Sequence, residues 1–231
     1  MKPTRPSATG PDASRGDVPA LYLITPQPEG GDAAYLQGLR ASLRPRAPGS
    51  LRVQFRAQGL EPERWLGLAA EALRVCREHH APLLLGAGGL PGPGAEQAMR
   101  CVLELGAQGL QLPSRLLRQP AWREACLGRP RGLLVGASCH DAAQLEAAAA
   151  LGADFATVSP VLPTASHPGS PGLGWARLGE LCRQARLPVY ALGGLGSGHL
   201  ALARAAGAAG IGAIRGLWES GGERGGELRR E

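Results

Sequence analysis

A closed α/β barrel of eight parallel strands is the fold this sequence predicts, and three observations predict it. Eight short apolar runs rich in Val, Ile and Leu alternate with longer stretches of helical spacing. The starts of the runs lie 22 to 33 residues apart, the length of one strand–helix unit. A glycine-bearing signature recurs where helices should end: LGAQG (105–109), LGADF (151–155) and AGAAG (206–210). Gly in that place is the usual left-handed helix stop, and its recurrence marks an internal repeat. Eight such units close into a single (β/α)8, or TIM, barrel. The competing open doubly wound sheet needs a G-x-G-x-x-G turn after its first strand, where this chain has TPQPEGG (25–31).

The first run is LYLIT (21–25). The second, RVQFR (52–56), alternates, and its apolar pair, Val53 and Phe55, should face the helices. Arg52, Gln54 and Arg56 then point into the barrel, with Arg56 at its top. Residues 62–78 carry Trp65, Leu68, Ala69, Ala72, Leu73, Val75 and Cys76 at helical spacing. The third run, PLLLGA (82–87), leads into LGAGGLPGPG (85–94), which offers backbone amides but no side chain for chemistry. The fourth is GLQLPS (109–114). The fifth, GLLVGAS (132–138), runs on into Cys139 and His140. Asp141 is placed to cap a helix over DAAQLEAAAAL (141–151). FATVSP (155–160) opens into SPVLPTASHPGSPGLGW (159–175), whose length is that of a lid rather than a bare connector. PVYALGG (188–194) and GIGAIRG (210–216) complete the eight.

Composition sets the boundaries. Residues 1–19 read as a disordered lead rich in Pro, Ser and Gly, residues 20–218 as the barrel, and residues 219–231 as a disordered tail. No apolar run is long enough to span a membrane, and the start of the chain lacks the apolar stretch of a signal peptide. Five cysteines, an odd number without a C-x-x-C pair, predict reduced thiols and a cytoplasmic setting. The formal net charge of +6 does not predict nucleic-acid binding, because no dense basic run precedes the tail and aromatics make up only 4%. It predicts a solvated basic surface that attracts small acidic ligands. The only lysine is Lys2, in the lead, so Schiff-base chemistry inside a barrel is excluded.

In such a barrel the active site lies at the C-terminal ends of the strands. An inward Arg56 needs an anionic partner, and no carboxylate ends a nearby run, so an anionic ligand is expected. The plainer alternative is an arginine that snorkels to solvent. Gly193 and Gly194, with Gly196 and Gly198 beyond them, fit the phosphate site that loops after the seventh and eighth strands form. A simple glycine-rich turn, in a chain with 35 glycines, is the alternative. Arg215 either adds a charge-assisted contact or points outward. His140 exchanges protons near neutral pH and lies on the same face as Ser138, or else is a helix-start residue bonded to backbone. Cys139 should face the helices and be structural. Thr164, Ser166 and His167 are candidates for ligand contact. His140, His167 and His199 are irregularly spaced and unaccompanied by a carboxylate, so no metal site is expected.

Taken together, these stretches resemble the thiamine phosphate synthase/TenI family. Its members read LYLVT in strand 1, Q-x-R-x-K after strand 2, S-x-H after strand 5, G-P-V-x-x-T-x-x-K-P after strand 6 and G-G-I after strand 7. The matching stretches are LYLIT (21–25), QFRAQ (54–58), SCH (138–140), SPVLPTASHPGSPGLG (159–174) and ALGGLGSGH (191–199), and the resemblance covers about residues 20–218. SPVLPTASHPG and AIRGLW are especially like the barrel domain that some Nudix-type hydrolases carry at their C-terminus. No Nudix box occurs here, so that likeness implies the domain standing alone, with a Nudix-type hydrolase as a partner.

The resemblance implies a small phosphorylated metabolite as ligand. Its phosphate would sit at Gly193, Gly194, Ile214 and Arg215, and Gln54, Arg56, Ser138, Thr164 and His167 would line the pocket. The main expectation is a TenI-like protein that binds a thiazole- or thiamine-type phosphate and isomerises it, with His140 moving the proton. One alternative is a thiamine phosphate synthase, a transferase joining a pyrimidine pyrophosphate to a thiazole phosphate. Another is a non-catalytic binding module. The family's synthases hold Mg2+ and the pyrophosphate of the pyrimidine substrate with Asn-Asp after strand 3 and Asp after strand 4. Here those places read GAGG (86–89) and LPSRLL (112–117), and Gln58 stands for a lysine. No cofactor is therefore expected, Mg2+ included. Self-association into a homo-oligomer is left open.

Overall fold

Apolar runs of four to six residues that are buried on both faces can satisfy their backbone only by pairing with one another. In the computed structural model, which describes residues 18–92, 94–164, 169 and 171–219, they do so around a closed ring. The strands are β1 (Leu21–Ile24), β2 (Leu51–Phe55), β3 (Leu83–Gly86), β4 (Gly109–Leu112), β5 (Leu134–Cys139), β6 (Phe155–Val158), β7 (Val189–Leu192) and β8 (Gly210–Ala213). Each pairs in parallel with the next, and β8 closes onto β1 with Leu21 opposite Ile211. That last pairing excludes the open doubly wound sheet. The eight predicted runs each hold one strand.

The intervening helices are α1 (Asp32–Leu43), α2 (Pro62–Glu78), α3 (Ala95–Leu105), α4 (Pro120–Leu127), α5 (Ala142–Leu151), α6 (Gly174–Gln184) and α7 (Leu200–Ala205). α2 starts with Pro at its first position, where a missing N–H costs nothing. It buries Trp65, Leu68, Ala69, Ala72, Leu73, Val75 and Cys76, the seven residues its spacing predicts. Asp141 caps α5 by accepting from the Gln144 N–H at 2.8 Å. Gly106 and Gly152 end α3 and α5 with φ of 68° and 87°, the left-handed stops that the repeat signature implies.

The barrel has two cores. The outer one joins strand residues such as Val53 and Phe55 to the helices, and Trp65 anchors it by donating from Nε1 to the Ala57 carbonyl at 3.2 Å. The inner one is a floor of Tyr22, Leu84, Phe155 and Tyr190. Arg52 lies in this floor, only 7% exposed, with its guanidinium 4.6 Å from the centroid of the Phe155 ring. Gly136 makes room for the floor: a Cβ there would meet the Phe155 ring at 2.5 Å. Val18 packs against the same cluster, and the Tyr190 hydroxyl donates to the Pro19 carbonyl at 2.5 Å. Two residues that composition groups with the lead thus cover the floor. At the other end of the chain, the Trp218 ring lies against Gly38 and Tyr35, and the Glu219 N–H donates to Ser42 Oγ at 2.7 Å. The rest of the expected lead and tail, together with Ser166 and His167, lies outside the described residues. None of the described helices is long and apolar enough to cross a membrane.

Candidate functional site

Alternation along β2 places Gln54 and Arg56 toward the barrel axis, and the strand register fixes their height. The Arg56 N–H donates to Thr25 Oγ1 at 2.9 Å, which pins the start of its side chain beyond the end of β1. A polar chain climbs the axis beside them. The Tyr22 hydroxyl donates to Gln111 Oε1 at 3.0 Å, and Gln111 Nε2 donates to Ser138 Oγ at 3.1 Å. Ser138 therefore receives a fixed donor from below and faces the open end of the barrel.

Above this chain lies a cavity of about 560 Å3 at the C-terminal ends of the strands. Gln54, Arg56, Ser138 and Thr164 line it, as do Gly193, Gly194, Ile214 and Arg215 on the opposite side. Eight of the ten residues expected from sequence are thus brought together. Gly193 and Gly194 have φ of 99° and 69°, which non-glycine residues rarely adopt. They also press against the loop after β6, where a Cβ on Gly193 would lie 2.7 Å from Pro160 Cα. Packing alone thus requires glycine here, and the loop it shapes forms a wall of the cavity.

His140 follows β5 directly and lines neither this cavity nor the smaller one that adjoins it. Its Nδ1 is 2.7 Å from the Ser159 carbonyl, which can only accept, so Nδ1 carries the proton. In that tautomer Nε2 is the ring's acceptor. Ser138 lines the cavity, whereas His140 is held at the Ser159 carbonyl and is not among the lining residues. His199 is engaged too: its Nδ1 accepts from the Gly196 N–H at 3.1 Å, and its ring stacks on Trp175. Cys139 is buried against the helices, and burial pushes its thiol up to about 12. That keeps the thiol protonated and unreactive near neutral pH.

A smaller cavity of about 120 Å3 adjoins the first and shares Gln54, Arg56 and Ser138 with it. Its far wall is Gln58, Gly88, Gln111 and Arg115. Gln111 and Arg115 are absent from the sequence-based candidates. Gln111 was detectable there, as the only polar side chain in GLQL; Arg115 sits on the turn Ser114–Leu116, which has no periodicity to read. This is where the resemblance places Mg2+. Mg2+ needs oxygen ligands, usually carboxylates, but here two guanidinium groups and amides line the wall and no carboxylate does. The residues present do not fit that ion.

A third cavity, about 640 Å3, opens at the opposite end of the barrel beside Arg52, Asp154 and Pro188. Asp154 is already committed there, to Arg129 at 3.0 Å and to the Val135 N–H at 2.7 Å. Barrels of this kind carry stability rather than chemistry at that end.

Comparison with known proteins bears on the family and on the fold. A family described as thiamine monophosphate synthase matches residues 21–217. The "Putative thiamine-phosphate synthase" of Geobacter sulfurreducens is 34% identical over 197 residues, covering 84% of each chain. The thiamine-phosphate synthase of Bordetella avium is 30% identical over 208 residues, 87% of this chain and 88% of that one. The solved thiamine phosphate pyrophosphorylase of Pyrococcus furiosus superimposes with a TM-score of 0.63 over 85% of each chain, at 20% identity, which speaks for the fold alone. The chain belongs to the thiamine monophosphate synthase/TenI family.

Proposed function

We propose that the chain is a thiamine phosphate synthase, which binds a thiazole phosphate in the larger cavity and joins it to a pyrimidine diphosphate with release of diphosphate. The observation that carries this reading is the pair of adjoining cavities that share Gln54, Arg56 and Ser138. A reaction between two anionic substrates needs two anion-compatible compartments that meet at the reacting atoms. The thiazole phosphate would rest on the Gly193–Gly194 and Ile214–Arg215 loops. Arg56, which borders both compartments, would draw both substrates in. The names of the relatives support the same reaction over the single-substrate isomerisation that the sequence alone puts first.

His140 favours a second reading. Its free Nε2 makes it a ready proton acceptor, which an isomerase acting on a thiazole phosphate would use. Incubation of the protein with the thiazole phosphate and the pyrimidine diphosphate separates the two. Coupled release of thiamine phosphate and diphosphate supports the synthase. Conversion of the thiazole phosphate into a ring isomer, without coupling, replaces it with the isomerase. Binding with neither reaction would leave a binding module, and a Nudix-type hydrolase would be the partner to seek.

A further inference from the structure

Among the described residues, Arg52 is the only charged one that is buried. A guanidinium keeps its charge, and a buried charge without an anion is costly. Its neighbours supply only part of what it needs. The Phe155 ring, 4.6 Å away, offers its negative face. Arg52 Nε is buried with no hydrogen-bond partner among the described residues. The phenols of the same floor are no counter-ions, because burial keeps Tyr22 and Tyr190 protonated, and they donate to Gln111 and to the Pro19 carbonyl. Asp154 is engaged by Arg129 and by the Val135 N–H. The described residues thus leave Arg52 without an anion.

The guanidinium is not sealed in, however. With Phe155 it forms the inner wall of the cavity of about 640 Å3 at this end of the barrel, a volume typical of small-molecule pockets. Leu134, Leu187, Pro188 and the alanines that end α5 give the cavity apolar sides. Alanine leaves this volume open where a longer side chain would fill it. Glu146, Asp154 and Arg186, all exposed, stand at the mouth. Two carboxylates there repel a multiply charged anion more than a singly charged one.

We propose that this cavity binds a small monoanionic carboxylate with an apolar body, whose carboxylate pairs with Arg52 and whose body lies along the apolar sides. A carboxylate matches the terminal fork of a guanidinium through two parallel bonds. It also neutralises the charge that the ring and the phenols leave uncompensated. Barrels of this kind do their chemistry at the other end, so the occupant acts on stability: a ligand that binds only the folded chain raises its Tm. The site is independent of which reaction the upper cavities perform.

The test is a calorimetric titration of the full chain with phenylacetate and hexanoate, with phenylacetamide and inorganic phosphate as controls. Both carboxylates should bind, and the neutral amide at least about tenfold more weakly. Arg52→Met keeps the length of the side chain and removes its charge, so carboxylate binding should fall at least about tenfold. An apolar side chain of similar volume is tolerated where a charge was buried, and circular dichroism checks that the variant folds. Ala149→Leu leaves Arg52 in place and fills the cavity, so it should weaken binding too; if Arg52→Met does not fold, this variant decides alone. Arg56→Ala, at the other end of the barrel, should leave carboxylate binding unchanged. The carboxylates should raise the Tm of the parent protein and not that of Arg52→Met. Equal binding of phenylacetate and its amide, binding unchanged in both lower-end variants, or loss in Arg56→Ala instead would overturn the proposal. So would tighter binding of phosphate than of either carboxylate, or no binding of either carboxylate at millimolar concentration.

Discussion

Arg56 borders both cavities, so its removal distinguishes one shared site from two unrelated ones. A charge-assisted hydrogen bond contributes about 1.5–3 kcal/mol. Arg56→Ala should therefore weaken both thiazole phosphate and pyrophosphate by about ten- to a hundredfold. Titration of the variant with each ligand checks this, and loss of only one would show that the cavities act separately. His140 gives the opposite expectation. Gln at that position keeps an N–H to offer the Ser159 carbonyl but cannot shuttle a proton. Loss of a general acid or base costs about 10²–10⁴-fold. Under the synthase reading, His140→Gln should slow thiamine phosphate formation by less than about tenfold, and a larger loss in steady-state assays would restore His140 to a catalytic role. Residues on strands were legible because a period of two decides which face they take: Gln54, Arg56 and Ser138 follow it into the cavity. The bond that holds His140 to the Ser159 carbonyl depends on how far Ser159 lies from it in space, and spacing along the chain carries no such information. Arg115 escaped for a related reason, since a turn residue has no preferred face until the neighbouring loops are placed.

The strand–helix units were legible for physical reasons that differ between elements. α2 is long and strongly one-sided, so its buried stripe could be named residue by residue. α5 has almost no polar contrast along its length, and its helical nature came from Ala propensity and from Asp141. That makes the cap energetically prominent. Asp141→Ala should destabilise the protein by about 1 kcal/mol, lowering its Tm by about 2–4 °C. Thermal unfolding followed by circular dichroism reads the shift, and an unchanged Tm would mean that water replaces the carboxylate at the Gln144 N–H. The cap sits one residue after His140, whose own N–H donates to Gln144 Oε1 at 2.8 Å, so Gln144 links the start of α5 to the end of β5. The loops were the least legible elements. The glycines after β7 look like a phosphate cradle or a simple turn in one dimension. Only the approach of Pro160 shows that packing demands them first.

At the scale of the whole molecule, the barrel depends on titratable groups held in their neutral form at its centre. Burial raises the phenols of Tyr22 and Tyr35 well above the usual tyrosine range and pushes Tyr190 up to about 12, while the charge of Arg52 opposes the rise at Tyr22 and Tyr190. Burial likewise pushes the thiols of Cys76 and Cys139 up to about 12, and those of Cys126 and Cys182 up to about 11. In the unfolded chain these groups ionise near their ordinary values, about 8.5 for Cys and about 10 for Tyr. The folded state therefore holds its protons more tightly than the unfolded state across that interval. For a group whose folded pKa is raised, the stabilisation is complete below the unfolded value and is lost as pH climbs through the folded one. Tm should be nearly flat from pH 7 to about 8, then fall steadily from about pH 9 toward 11. Arginine does not titrate in this window, so the surface ion pairs cannot produce the same profile. Tyr190→Phe separates the floor from the thiols. It removes one phenol and its bond to the Pro19 carbonyl, so Tm at pH 7 should drop while the alkaline slope becomes shallower. A Tm that stays level to pH 11 in the parent protein would mean that the floor opens to solvent before it unfolds, and that Val18 and Pro19 do not seal the barrel's lower end.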